Sequence, residues 1–312
     1  MAYVLETFNL SKRYKKQWAL KDVNIHISKG DIYGFVGENG SGKTTVIRLV
    51  TGLISATEGG LALFGVRNDD PAILRQRKRI GAIVETPSIY LNMSAAENLR
   101  LQSSILGIVD DVEEKIKDAL AEVGLSAVYE DKKKASNFSL GMRQRLGIAM
   151  ALLGNPELII LDEPMNGLDP TGIVEIRELI LKLNRQKEIT FLISSHILSE
   201  LSLVANKYGI ISKGRLLTEI TAAELQQQCR PSISINVGNP EALKSVLGAY
   251  LPPEDCVFTG WGVRVYGVIN LNDLLRKILD AGIEILNVNS HQANIENYYL
   301  SLVEGRSKCV TF

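Results

Sequence analysis

The chain has 312 residues, 46% of them apolar, with 35 basic and 35 acidic side chains. A chain of this size can bury a sizeable core, as one large domain or one with an appendage, and its charge balance excludes the basic excess of a dedicated nucleic-acid binder. The balance also holds locally, with 28 basic against 26 acidic residues up to position 220 and 7 against 9 beyond it.

The N-terminal stretch MAYVLETFNLSKRYKK lacks the basic-then-apolar order of a signal peptide. No apolar run approaches the roughly 18 residues needed to cross a bilayer, so a cytoplasmic protein is expected. Cys229, Cys256 and Cys309 are scattered and form no CxxC pair, which suits a reducing compartment. The short runs RQRKR (75–79) and KKK (132–134) read as solvated faces.

From Met1 to about Arg215, apolar runs alternate with helical patterns, and four runs end in polar motifs: YGFVG, IGAIVE, LIILDEP and FLISSH. That rhythm predicts an α/β core whose parallel strands carry chemistry at their carboxyl ends. Residues 94–153 differ, because SAAENLRLQSSILG, DVEEKIKDALAEVGL and SLGMRQRLGIAMALLG have helical periodicity with no strand between them. A helical insertion is expected there, over about 86–153. Beyond 220 the stretches SISINV, EALKSVLGAY, WGVRVYGV, NDLLRKILDAG, IEILNVN and NIENYYLSLVEG read as alternating strands and helices. They predict a small α/β appendage over 221–312.

Between the apolar run YGFV and the helical pattern VIRLV stands GENGSGKTT, residues 37–45. Glycines at 37, 40 and 42 let backbone N–H groups converge on one anion, and a helix starting near Gly42 adds its positive end. Lys43 is placed to reach β and γ phosphates, and the Thr44 hydroxyl to ligate magnesium. Gly37, Glu38, Asn39, Gly40, Ser41, Gly42, Lys43, Thr44 and Thr45 are therefore expected to bind nucleotide. In LIILDEP, a buried strand delivers Asp162 to the metal and Glu163 to a water attacking the γ phosphate.

NFSLGMRQRL (137–146), just upstream of LDEP, resembles the signature motif of the nucleotide-binding subunits of ATP-binding cassette transporters. Over about residues 4–220 the chain resembles that family, which implies a P-loop NTPase core of cassette type (1–220), a helical subdomain and the C-terminal appendage. The resemblance implies that Ser139 and Gly141 present a helix tip to an ATP held by a second copy, giving a head-to-tail dimer with two composite sites. MNGLDP (165–170) resembles the D-loop, placing Asp169 at the dimer interface, and ITFLISSH places His196 near the γ phosphate. KRYKKQWALKDV (12–23) matches the segment whose aromatic stacks on adenine, with Tyr14 at that position and Trp18 as a nearby alternative.

The chain also departs from the family pattern. Glu85 stands where the family usually has Gln; a carboxylate also ligates a hard cation, so Glu85 joins Thr44 and Asp162 as an expected magnesium ligand. Leu140 and Met142 replace the signature's usual Gly and Gln. These departures, together with ETPSIYLNMSAAENL and the appendage, resemble the bacitracin-resistance and lantibiotic-immunity branch of bacterial exporters.

The implied function is an ATPase subunit that works on a separate integral-membrane permease at the cytoplasmic face of the membrane, with ATP and Mg2+ as ligands. Two rivals differ in class: a soluble cassette ATPase acting on DNA or ribosomes, and a nucleotide-binding regulatory module. The first lacks its usual long coiled coil and basic surface; intact Glu163 and His196 weigh against the second.

Overall fold

The computed structural model describes residues 3–228, 232–248, 250–252, 255–266, 270–291, 298, 299 and 302. Cys229, Cys309 and most of the last expected helix (294–305) lie outside them. The chain divides into two compact units, Met1–Ala222 and Ala223–Phe312.

The first unit is built on a six-stranded sheet in the order Arg215–Thr221, Lys207–Ser212, Ile32–Val36, Thr190–Ser195, Leu158–Asp162, Ile80–Ile83. All neighbours are parallel except the first pair, an antiparallel hairpin. Every residue of IYGFV, LIILD and TFLISS is buried, as expected for strands covered on both faces. The register pairs Val36 with Ser195 and Asp162 with Ser194, so these three central strands end level. The polar motifs that follow them therefore emerge along one edge.

A second, five-stranded antiparallel sheet departs from the expected run of alternating strands and helices. Its long strand Tyr3–Tyr14 pairs with Gln17–Val23, His26–Ser28 and Glu58–Leu63, and Val66–Arg67 closes the edge. Two inward positions of that strand are hydroxyls: Thr7 Oγ1 donates to Val23 O at 2.9 Å, and Ser11 Oγ accepts from Asp22 N at 3.0 Å. These satisfied polar groups, with register shifts near Leu10 and Ser11, break the period-two pattern in the sequence.

Helix Lys43–Thr51 shares one core with both sheets: its Val46, Ile47 and Val50 pack with Leu5, Leu20 and Leu63 and with Phe35, Leu158 and Ile160. Truncating the fully buried Ile47 to Ala would cost about 2–5 kcal/mol. The phosphate-loop helix is thereby fixed on two sides. Between Ile80–Ile83 and Leu158–Asp162 the chain is helical, with Ala95–Leu106, Val112–Glu122 and Leu140–Leu152. The first of these opens on a reciprocal Ser94–Glu97 capping box and stops at the left-handed Gly107.

The second unit has the chain order Ser232–Val237, helix Pro240–Leu247, Cys256–Thr259, Gly262–Tyr266, helix Leu271–Asp280, Ile285–His291. Its antiparallel sheet runs second, third, first, fourth strand, the split βαβ arrangement of ferredoxin-like folds. Leu243, Leu247, Leu274 and Ile278 of the helices pack on Ile235, Val237, Val263 and Val265. The short strand Cys256–Thr259 was absent from the sequence pattern because it is an edge strand with only Cys256 and Phe258 turned inward. Cys256 is a buried free thiol.

Candidate functional site

The phosphate loop is shaped by what its glycines lack. A Cβ on Gly37 would lie 2.4 Å from Ile211 O and 2.5 Å from Ser41 Oγ. Gly42 has φ 114° and a Cβ there would lie 2.6 Å from Leu20 Cδ2, so no other residue fits. Gly42 also leaves the helix Lys43–Thr51 without a side-chain cap or an acidic residue in its first turn. Its free N–H groups and positive dipole end are available to an anion.

Lys43 is buried, and its ammonium donates to Gly37 O at 2.6 Å and Glu38 O at 3.2 Å. It also stands 3.2 Å from Glu163 Oε1, an ion pair lacking the angle of a hydrogen bond. Burying an ammonium costs several kcal/mol unless it is paired, and these oxygens supply that pairing. Thr44 Oγ1 donates to Asp162 Oδ2 at 2.9 Å, and Ser194 Oγ donates to Asp162 Oδ1 at 2.5 Å.

Glu163 sits in the left-handed region, φ 51°, directly beyond its strand. Its backbone N–H donates to Ser194 Oγ at 2.9 Å and to Ser194 O at 3.2 Å, which fixes that turn. Its Oε2 lies 2.8 Å from His196 Nδ1 and accepts from His196 N at 3.3 Å. One carboxylate is thus held between Lys43 and His196, beside Asp162. Ser41 Oγ and Glu163 Oε1 are buried oxygens without a hydrogen bond among the described residues.

A cavity of about 610 Å³ opens over the loop, lined by Tyr14, Gln17, Trp18, Ala19, Asn39, Gly40, Gly42–Thr45, Glu163, Lys213 and Gly214. Both aromatics proposed for base stacking line it: Lys12 lies 5.3 Å from the Tyr14 ring and Arg13 lies 5.2 Å from the Trp18 ring. The donor set fits a nucleotide with its metal. A dipole end, a buried ammonium and a hydroxyl–carboxylate pair suit a polyphosphate and a hard cation.

Gly37, Glu38, Ser41, Asp162 and His196 adjoin the residues that line this cavity, whereas four residues anticipated from sequence stand apart from it. Ser139 Oγ accepts from Met142 N at 3.1 Å and caps Leu140–Leu152, whose first turn carries no acidic residue. At Gly141 a Cβ would meet nothing closer than Leu168 Cδ2 at 3.9 Å, leaving the tip open. Asp169 caps Pro170–Lys187 through Gly172 N at 3.1 Å. Glu85, at φ 64°, pairs with Arg48 at the far end of the phosphate-loop helix and has no bond to Thr44, Asp162 or Glu163.

Sequence reasoning missed Ser194, Arg48 and the Lys213–Gly214 turn. Ser194 is one of two serines in FLISSH, and only its register opposite Asp162 distinguishes it from Ser195.

A family model described as ABC transporter matches residues 20–166. The chain is 40% identical to the bacitracin transport ATP-binding protein BcrA of Bacillus licheniformis, over 98% of this chain and 99% of that one. It is 42% identical to the lantibiotic transport ATP-binding protein SrtF of Streptococcus pyogenes, over 69% of this chain and 90% of that one. A solved ATP binding subunit of an ABC transporter superimposes with a TM-score of 0.62 at 31% identity, covering 72% of this chain and 92% of that one.

Proposed function

This chain belongs to the family of ABC transporter ATP-binding proteins, and from that premise we propose that it powers export of a peptide antibiotic or similar membrane-active compound through a separate permease. It binds and hydrolyses ATP. The observation that carries the residue roles is the Glu163 carboxylate held between Lys43 and His196, next to the Thr44–Asp162 pair.

In this reading the triphosphate lies along Gly37–Thr45, with backbone N–H groups and the Lys43 ammonium taking its charge. Tyr14 or Trp18 stacks on the base. Thr44 and Asp162 hold Mg2+, which when bound neutralises developing phosphate charge. Glu85 would join them only by leaving Arg48. Glu163 orients and deprotonates the attacking water, and His196 fixes that carboxylate and meets the γ phosphate. Ser139 and Gly141 offer a helix N-terminus with no acidic residue in its first turn to the nucleotide of a second copy, with Asp169 at the interface, so two chains close head to tail.

Residues 1–220 form the cassette, with the helical part at about 86–153, and residues 221–312 the smaller domain. No described helix is long and apolar enough to cross a membrane. Work on a membrane therefore needs the permease, which would hold the chain at the cytoplasmic face. One of its cytoplasmic helices would dock beside Glu85 and the 86–100 segment, next to a groove of about 240 Å³ lined by Ile83, Val84, Pro87, Gln102, Leu106 and Met150.

Phosphate release by the purified chain, alone and with its permease, tests the reading. Glu163→Gln should keep ATP binding, lower turnover by about 10²–10⁴-fold and accumulate a dimer on size exclusion. Undiminished hydrolysis in that variant would remove Glu163 as the base. A wild-type chain that binds ATP yet releases no phosphate in either setting would favour a regulatory module.

A further inference from the structure

The turn Lys213–Gly214 joins strands Lys207–Ser212 and Arg215–Thr221, whose last paired residues are Ser212 and Arg215. Both turn residues are left-handed, φ 47° and 76°. Two-residue turns with this backbone favour Asn or Asp before the glycine, because those short side chains tolerate the conformation; lysine has no such compensation. The turn's backbone therefore does not itself call for a lysine, and Lys15 adopts the same conformation at φ 53°, so what distinguishes Lys213 is where the turn lies.

The turn is tied to the nucleotide cavity from two sides. Gly214 N donates to Ser41 O of the phosphate loop at 2.9 Å, and Lys21 N donates to Gly214 O at 2.8 Å. Gly214 packs so closely on strand Gln17–Val23 that a Cβ would lie 2.5 Å from Ala19 O. Lys213 therefore sits where the strand carrying Trp18 meets the phosphate loop, and it lines the cavity with both. Lys43 is bonded to two carbonyls, whereas the Lys213 ammonium makes no ion pair, hydrogen bond or ring contact among the described residues.

We propose that Lys213 is a second cationic contact for the nucleotide, gripping the α phosphate where the tail passes from the aromatic strand to the loop. This rests on the reading of the cavity as the ATP site. The α phosphate is common to ATP and ADP and keeps its single charge as the γ phosphate departs, whereas the β phosphate gains charge as the leaving group. Lys213 thus supplies uniform binding, which sets KM and leaves kcat alone.

Affinities of the full chain for fluorescent ATP and ADP analogues, with steady-state phosphate release, test this in Lys213→Ala, Lys213→Asn and Lys213→Arg. Asn suits the left-handed turn, so it separates loss of charge from damage to the backbone. Both neutral variants should weaken ATP and ADP equally, by about three- to tenfold, as for one exposed charged contact. KM should rise by the same factor with kcat within about twofold, Arg should stay near wild type, and the difference should shrink with added salt. Unchanged affinity in Lys213→Asn, or a fall in kcat at constant KM, would overturn the proposal while leaving the ATP site standing. A wild-type chain that binds no ATP would remove the site reading and this inference together.

Discussion

The phosphate loop and the Ser139 helix tip both present a helix N-terminus without an acidic residue in its first turn, yet they differ in completeness. Around the loop the functional side chains already engage one another: Lys43 with Glu163, Glu163 with His196, Thr44 with Asp162, Asp162 with Ser194. At the tip, Ser139 bonds only its own helix, Gly141 faces open space and Leu140 is 43% exposed. In the proposed function the first region is a reaction centre within one chain, and the second a donor surface whose acceptor comes from elsewhere. A second copy is the economical supplier.

The sharpest way to break that contrast is to join the two regions across chains. With native cysteines replaced, Gly40→Cys and Ser139→Cys should crosslink two chains in good yield under saturating ATP and hardly at all without it, read on a non-reducing gel. If no crosslink forms at saturation, the tip has another purpose. A milder test replaces Ser139 with Ala. Loss of the cap should cost about 1 kcal/mol of stability, and turnover should fall about tenfold while ATP affinity of the isolated chain barely moves. An equal fall in affinity would mean that the tip acts within its own chain.

Glu85 lies between the two kinds of region. Its pairing with Arg48 is half exposed, and such ion pairs contribute about 0–1 kcal/mol, so the carboxylate is easily released. If it moves to the metal during turnover, Glu85→Gln should shift the Mg2+ titration of hydrolysis severalfold. A superimposable titration would leave Glu85 as a partner of Arg48 alone.

The smallest expected effect concerns the helices behind the tip. Hydrogen bonds from Arg100 and Tyr129 pull the Glu113 carboxyl down to about 2. Because its folded pKa is depressed, the stabilisation is complete above about pH 4.5 and is lost as pH falls toward about 2. Glu113 is largely exposed, so solvent screening keeps the effect under about 1 kcal/mol. Melting curves should show Glu113→Gln slightly less stable at pH 7 and converging with wild type below pH 4.5.

How much could be read in advance varies with sequence distance. GENGSGKTT, LIILDEP and SLGMRQRL were legible because each encodes its geometry within ten residues, through glycine dihedrals, strand ends and a helix cap. The antiparallel sheet was not, since Thr7 and Ser11 interrupt the pattern that would have announced it. Glu85 was anticipated beside the metal, whereas Arg48, 37 residues earlier, holds it elsewhere.

By itself, the sequence determined where glycines shape the turn before a helix and which strands are buried, since steric freedom and hydrophobic periodicity are local properties. Only the tertiary structure decided that Ser194 braces both Asp162 and Glu163, that Arg48 holds Glu85, and that Lys213 lines the cavity over the phosphate loop. Those pairings depend on strand register and on one core shared by two sheets, and no short stretch of chain contains that information.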